Sequence, residues 1–296
     1  MAVFWQVMTL FLLMMAGFGA ARFRVMDDKG LRGLNTLVLY FAQPAMIIHK
    51  LQQPASPELI TDLVWVFCLT CVTIAIAGTV AFALFAREPH DRRAVLANLS
   101  MVSNCGYMGY PVIIATIGEH ALIYAVVFVS AFNLMCWTLG AYFYRGSSAM
   151  QPQKLLTNPS LIAVAGGLVL FLTGWELPSF INDALNMIGA TTTPLAMFVI
   201  GSRLISLRLT HLRDVKLLLV CALRLLVFPS MILLLRLTPL SPMVVSSIYL
   251  CTAMPCAALT AMQAEGFDCE KELASRGVAL STALSIATLP LMLMLV

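Results

Sequence analysis

Apolar residues run through this chain in blocks long enough to cross a bilayer, and polar residues gather between the blocks. About 20 consecutive apolar residues span a hydrocarbon core. Ten blocks reach or approach that length: about 3–21, 31–50, 60–86, 94–118, 121–144, 159–174, 180–202, 215–237, 242–264 and 274–296. The sixth is short and the seventh has polar interruptions. The pattern predicts an all-α membrane protein of ten transmembrane helices, multi-pass in a cell membrane (plasma or inner) with the lipid bilayer around it. Two blocks are broken inside. The fourth holds Asn104-Cys105-Gly106-Tyr107-Met108-Gly109-Tyr110-Pro111, and the ninth holds Thr252-Ala253-Met254-Pro255-Cys256-Ala257-Ala258. Backbone that leaves the helix at membrane depth has polar groups that lipid cannot satisfy, so it must line a protein cavity. Paired interruptions in two halves of a chain point to a solute-binding site.

The blocks divide evenly. Residues 1–144 hold a first five-helix repeat, 145–158 a short polar linker, and 159–296 a second five-helix repeat. Five crossings are an odd number, so the second repeat starts on the opposite side and the two are expected to be inverted. Prolines fall in corresponding blocks: Pro44 in the second and Pro194 in the seventh, Pro111 in the fourth and Pro255 in the ninth. Pro44 and Pro194 read as kinks in scaffold helices. Pro111 and Pro255 read as marks of two unwound helices that cross.

Composition narrows the class. The 296 residues are 60% hydrophobic and 11% charged, which excludes an ordinary soluble domain. The first block has no basic residue before its apolar run, so a cleaved signal peptide is not expected. The formal charge of +4 follows from topology and needs no acidic partner such as nucleic acid. Arg22, Arg24, Lys29, Arg32, Arg87, Arg92, Arg93, Arg145, Lys154, Arg203, Arg208, Arg213, Lys216, Lys271 and Arg276 lie in alternate loops; only Lys50 and Arg236 lie in the others. The positive-inside rule then places both termini extracytoplasmic. The eight cysteines lie mostly in apolar blocks; Cys68 and Cys71 are i, i+3 neighbours that read as packing, and neither a disulfide framework nor a metal site is implied. No HExxH, buried Asp pair or Ser–Lys arrangement suggests an enzyme.

The breaks carry the candidate chemistry. A proline removes one helical donor and clashes with the carbonyl four residues earlier. Each half-helix after a break starts with free N–H groups and about half a positive charge, so two such ends make an anion site without a buried Lys or Arg. That economy matters because fixed charge at the bilayer centre is costly. The candidate substrate-binding residues are Asn104, Cys105, Gly106, Tyr107, Pro111, Thr252, Pro255, Cys256, Ala257 and Gln263. The Asn104 amide can hold a carboxylate or cap the broken helix. Arg224, inside the eighth block, reads as snorkelling to the surface or paired with a cytoplasmic acid. His49 reads as an interfacial residue.

Asn104-x-x-x-Met108-Gly109-x-Pro111 resembles the fourth-helix crossover of the auxin efflux carrier family. Leu34-Asn35 through Phe41-Ala42-Gln43-Pro44 to His49 resembles its second helix, Ala196-Met197-Phe198 with Gly201 its seventh, and Ala253-x-Pro255 its ninth. The resemblance covers essentially the whole chain, in order. It implies crossing helices four and nine, and often a homodimer. It also implies a scaffold of helices 1, 2, 6 and 7 and a mobile domain of helices 3–5 and 8–10, hence alternating access of the elevator type. The implied function is secondary transport of small organic anions, carboxylates such as malate, malonate or auxin-like acids, with Asn104 in the position that helps hold a carboxylate. The long cytoplasmic loop of plant members is absent. An alternative is a sodium- or proton-coupled symporter of the related bile-acid-symporter type, although acids are scarce around the breaks. A ligand-sensing membrane receptor is the reading from another class, against which stands the lack of an output domain. No cofactor is expected beyond a coupling ion, H+ or Na+, whose identity stays open.

Overall fold

A computed structural model of the chain describes residues 2–150, 153, 157–206 and 214–295. Pro152, Lys154, Arg208 and Arg213 lie outside the described residues. In chain order the helices are α1 (Ala2–Arg22), α2 (Asp28–Leu37), α3 (Gln43–Leu51), α4 (Pro57–Leu84), α5 (His90–Met101), α6 (Tyr110–Thr116), α7 (Leu122–Met135), α8 (Ala141–Arg145), α9 (Pro159–Thr173), α10 (Ser179–Ala190), α11 (Thr192–Arg203), α12 (Val215–Ala222), α13 (Phe228–Ile232), α14 (Pro242–Ala253), α15 (Ala258–Gly266) and α16 (Lys271–Leu293). Three begin with a small polar cap followed by proline. Ser56 accepts from Leu59 N–H before Pro57, Asn158 from Ser160 and Leu161 before Pro159, and Ser241 from Met243 before Pro242. The cap satisfies an orphan donor, and proline at the first helical position needs none.

Among the described residues, five continuous helical stretches are long and apolar enough to cross a membrane: Pro57–Leu84, Glu119–Ala149, Ser179–Arg203, Val215–Leu237 and Lys271–Leu293. Met8–Arg22, Pro159–Thr173 and Pro242–Ala253 are shorter apolar helices. Large apolar side chains stand outward on these helices, Val64, Leu84, Val169, Leu172 and Met187 among them. A surface of that kind suits lipid and not water.

Three π-turns recur with one spacing. Val38–Ala42, Cys105–Gly109 and Leu223–Val227 each end two residues before a proline, namely Pro44, Pro111 and Pro229. Widening one turn gives the proline ring room past the carbonyl it would otherwise strike. Pro194 lies three residues past a turn at Thr191 that separates α10 from α11.

α1 packs along α11, and α3 packs against α9 and α10. α4 packs against α5 and α7, α5 against α12 and α16, α14 against α13 and α7, and α15 against α16. The α1–α11 contact is reciprocal. A Cβ on Gly17 would stand 2.0 Å from the Phe198 carbonyl oxygen, and one on Gly201 would stand 1.8 Å from that of Met14. Small residues let two backbones approach this closely in a membrane. Gly201→Ala is therefore expected to force the helices apart at a cost of about 1–3 kcal/mol, toward the upper end because backbone must yield to backbone. Gly166→Ala, where a Cβ meets nothing within 4 Å, is the control, and thermal unfolding of both variants gives the comparison.

Candidate functional site where two interrupted helices meet

α5 ends at Met101, and the chain continues through extended Val102 (φ −93°, ψ 105°) and Ser103 to Asn104 (φ −79°, ψ 48°) before helix resumes at Cys105. α14 ends at Ala253; Met254 (φ −69°, ψ 150°) and Ala257 (φ −78°, ψ 147°) are extended, and α15 starts at Ala258. The two extended stretches lie antiparallel, with Ser103 opposite Cys256. Asn104 N–H donates to the Pro255 carbonyl at 2.7 Å, and Ala257 N–H donates to the Val102 carbonyl at 3.0 Å. Groups that lipid would leave unsatisfied thus satisfy each other. The Cys256 N–H is taken by the Ser281 hydroxyl at 3.1 Å. The first interruption differs in place from the sequence reading. Its non-helical backbone is 102–104, while Pro111 lies buried at the start of α6. The intervening π-turn absorbs the proline, with Met108 and Gly109 N–H both donating to the Asn104 carbonyl at 3.0 and 3.2 Å.

Arg224 corrects a second expectation. It neither snorkels nor meets an acid; it is 2% exposed, and among the described residues no carboxylate pairs with it. Its Nε donates to the Met254 carbonyl at 3.1 Å, and Nη1 donates to the Ser100 and Met101 carbonyls at 3.3 and 3.2 Å. Nη2 donates to the Thr252 carbonyl. All four acceptors belong to the last residues of α5 and α14 or the residue just beyond. Each helix C-terminus carries about half a negative charge. Two of them converge on one guanidinium, which replaces a carboxylate counter-ion with backbone dipoles and fixes both ends at once.

The half-helices that follow the breaks start without side-chain caps: neither Asn104 nor Ala257 makes a capping hydrogen bond. Asn104 is half-buried. Cys105, Pro111, Pro255, Cys256 and Ala257 are buried around the bridge, and the Cys256 thiol donates to the Leu99 carbonyl. Among the described residues the buried Tyr107 hydroxyl has no hydrogen-bond partner. Gly106 faces the Gln43 side chain, whose amide nitrogen would stand 3.2 Å from a Cβ there. Gln43, at the start of α3, thus brings a separate helix against the restarted one. Thr252 is buried and gives its carbonyl to Arg224. Gln263 stands apart in role: its amide donates at 2.8 Å to the Cys136 carbonyl, at the head of the π-turn Cys136–Gly140, while its oxygen has no partner among the described residues. Sequence reasoning missed Arg224 and Gln43 as site residues. The signal for Arg224 was a charge nine residues past the start of an apolar block, with no acid on its own helix.

A family model described as membrane transport protein matches residues 2–153 and 143–293. An uncharacterized transporter of Methanothermobacter thermautotrophicus is 28% identical over 298 aligned positions, 96% of this chain and 95% of that protein. An uncharacterized transporter of Methanocaldococcus jannaschii is 26% identical over 66% of this chain and 67% of its own length. The uncharacterized transporter YfdV of Escherichia coli strain K12 is 22% identical over the same shares.

Proposed function

Because the chain belongs to the membrane transport protein family, that of the auxin efflux carriers, we propose that it is a secondary transporter of small organic anions, held where the two interrupted helices cross. The observation that carries this reading is the backbone pairing of 102–104 with 255–257. It sets two uncapped helix starts beside each other, while Arg224 neutralises the two helix ends. Uncapped starts favour an anion. Asn104 supplies the amide that contacts the carboxylate. In this proposal the ten helices form two inverted repeats of five. α1 to α3 and α9 to α11 form a scaffold and the remaining helices a mobile domain, consistent with the packing of α1 on α11 and α3 on α9 and α10. A homodimer and extracytoplasmic termini complete it; reporter fusions at either end test the second point.

Thermal stabilisation of the purified protein across mono-, di- and tricarboxylates, each with and without sodium, tests the substrate class, since a ligand of the folded state stabilises by mass action. Stabilisation by at least one carboxylate and by none of the matched amines is expected. Sodium dependence would indicate a coupled carrier.

The scaffold proposal has its own check. Lys50, in α3, donates to Glu119 at 2.5 Å, across the proposed division and on the proposed outer side. Glu119 is 68% exposed, so the pair is worth at most about 1 kcal/mol and opens readily. With Lys50→Cys and Glu119→Cys combined, a short bifunctional maleimide is expected to stop transport, while either single variant treated alike keeps it. Transport that survives the cross-link would exclude relative motion there.

A further inference from the structure

A cavity of about 190 Å3 reaches the pairing site from the side, between α4 and the helix that runs through Arg224 into α13. Of its lining residues Val72, Ile76 and Met231 are exposed, which puts its mouth at them. Ser103, Arg224 and Thr252 line it and are buried, which puts its floor at them, and the rest of its wall is almost wholly aliphatic or aromatic. No Asp or Glu lines it. A guanidinium has five N–H groups, and four are committed to carbonyls, which leaves one on Nη2. The one fixed charge of this cavity is thus positive, at the inner end of an apolar passage that opens where lipid lies.

This floor is distinct from the proposed anion site. Of the neighbours Ser103 and Asn104, only Ser103 lines the cavity. We propose that the cavity binds a lipophilic monocarboxylate from the bilayer, its head group on the free Nη2 N–H of Arg224 and the hydroxyls of Ser103 and Thr252, its hydrocarbon part toward Met231. The chemistry fixes the class. A dicarboxylate would bring a second charge into an apolar wall, which is costly without a partner. An amine would face the guanidinium. An uncharged apolar molecule would leave the donors unmet. An apolar cavity of about 150 Å3 takes a benzene ring, so the volume here suits on the order of six carbon atoms.

The test uses the full chain in lipid nanodiscs, where no detergent competes, with hexanoate, hexanol, hexylammonium and malonate as probes of thermal stabilisation. Hexanoate is expected to stabilise at a concentration at least tenfold below that needed by hexanol or hexylammonium. Met231→Trp and Ile76→Trp fill the mouth from opposite helices at exposed positions, so each is expected to fold. Both are expected to weaken hexanoate at least tenfold and leave malonate unchanged. Hexanoate binding that persists in both folded variants, or hexanol binding equal to hexanoate, would overturn the proposal. A fall in malonate alongside hexanoate would also overturn it, by merging the two sites. The proposal does not rest on the transport reading: absent malonate stabilisation would count against that reading alone.

Discussion

Arg224→Met is expected to lower stability by about 3–5 kcal/mol, the range for removing one partner from a buried charged contact. The sign is informative as well as the size. An arginine at the centre of a membrane helix costs about 2.5–3.5 kcal/mol on insertion scales. A snorkelling or idle Arg224 would therefore make the methionine variant neutral or more stable. The structure gives the opposite balance, because methionine would strand the Ser100, Met101, Thr252 and Met254 carbonyls in a buried site. Each buried unsatisfied acceptor costs about 1–3 kcal/mol. It would also leave two helix C-termini facing each other with like partial charge. Arg224→Lys keeps the charge but has three donors on a point-like head and cannot span acceptors from two helices as a planar fork does. The expected order of thermal stability is wild type, Arg224→Lys, Arg224→Met. A methionine variant as stable as the wild type would remove the clamp from the account of this site.

Much of the helical pattern was legible because apolar length is a local property of sequence. The blocks at 60–86, 215–237 and 274–296 overlap continuous helices, and the interruptions near Asn104 and Pro255 fall where the chain leaves the helix. What escaped was non-local. That the two interruptions pair residue by residue depends on where a second strand of chain lies. That Arg224 is buried depends on two helix ends 123 and 30 residues away converging on it. Proline was read as the point of the break, yet Pro111 sits within a resumed helix. The recurring offset from π-turn to proline at Pro44, Pro111 and Pro229 shows why: a helix can widen by one residue and continue. Gly17 drew no reading from the sequence and Gly201 entered only through the resemblance, yet each lies against the other helix's carbonyl. Gln263 was chosen for its polarity inside an apolar block, but its amide completes a neighbouring π-turn.

Asn104→Ala is expected to weaken carboxylate binding by roughly 10- to 150-fold while leaving the stability of the ligand-free protein nearly unchanged. A hydrogen bond to a charged group is worth about 1.5–3 kcal/mol, and 1.4 kcal/mol is a factor of ten in affinity. The sequence left two roles open for this amide, and the two variants separate them in energy. Asn104 stands at the N-cap position, where a side chain that caps contributes about 1 kcal/mol, but its amide makes no capping bond. What fixes this residue is its backbone: the N–H to Pro255 and the carbonyl to Met108 and Gly109. Alanine keeps all three bonds. Among the described residues the half-buried side chain makes no capping bond, which leaves its amide available to the proposed ligand. Asn104→Asp sharpens the test, since it keeps the size and puts a negative charge where a carboxylate is proposed to sit, so binding should fall further than with alanine. Ligand affinity and ligand-free melting measured on both variants decide the role. An alanine variant that melts early but binds normally would make Asn104 a structural residue and move the anion site elsewhere.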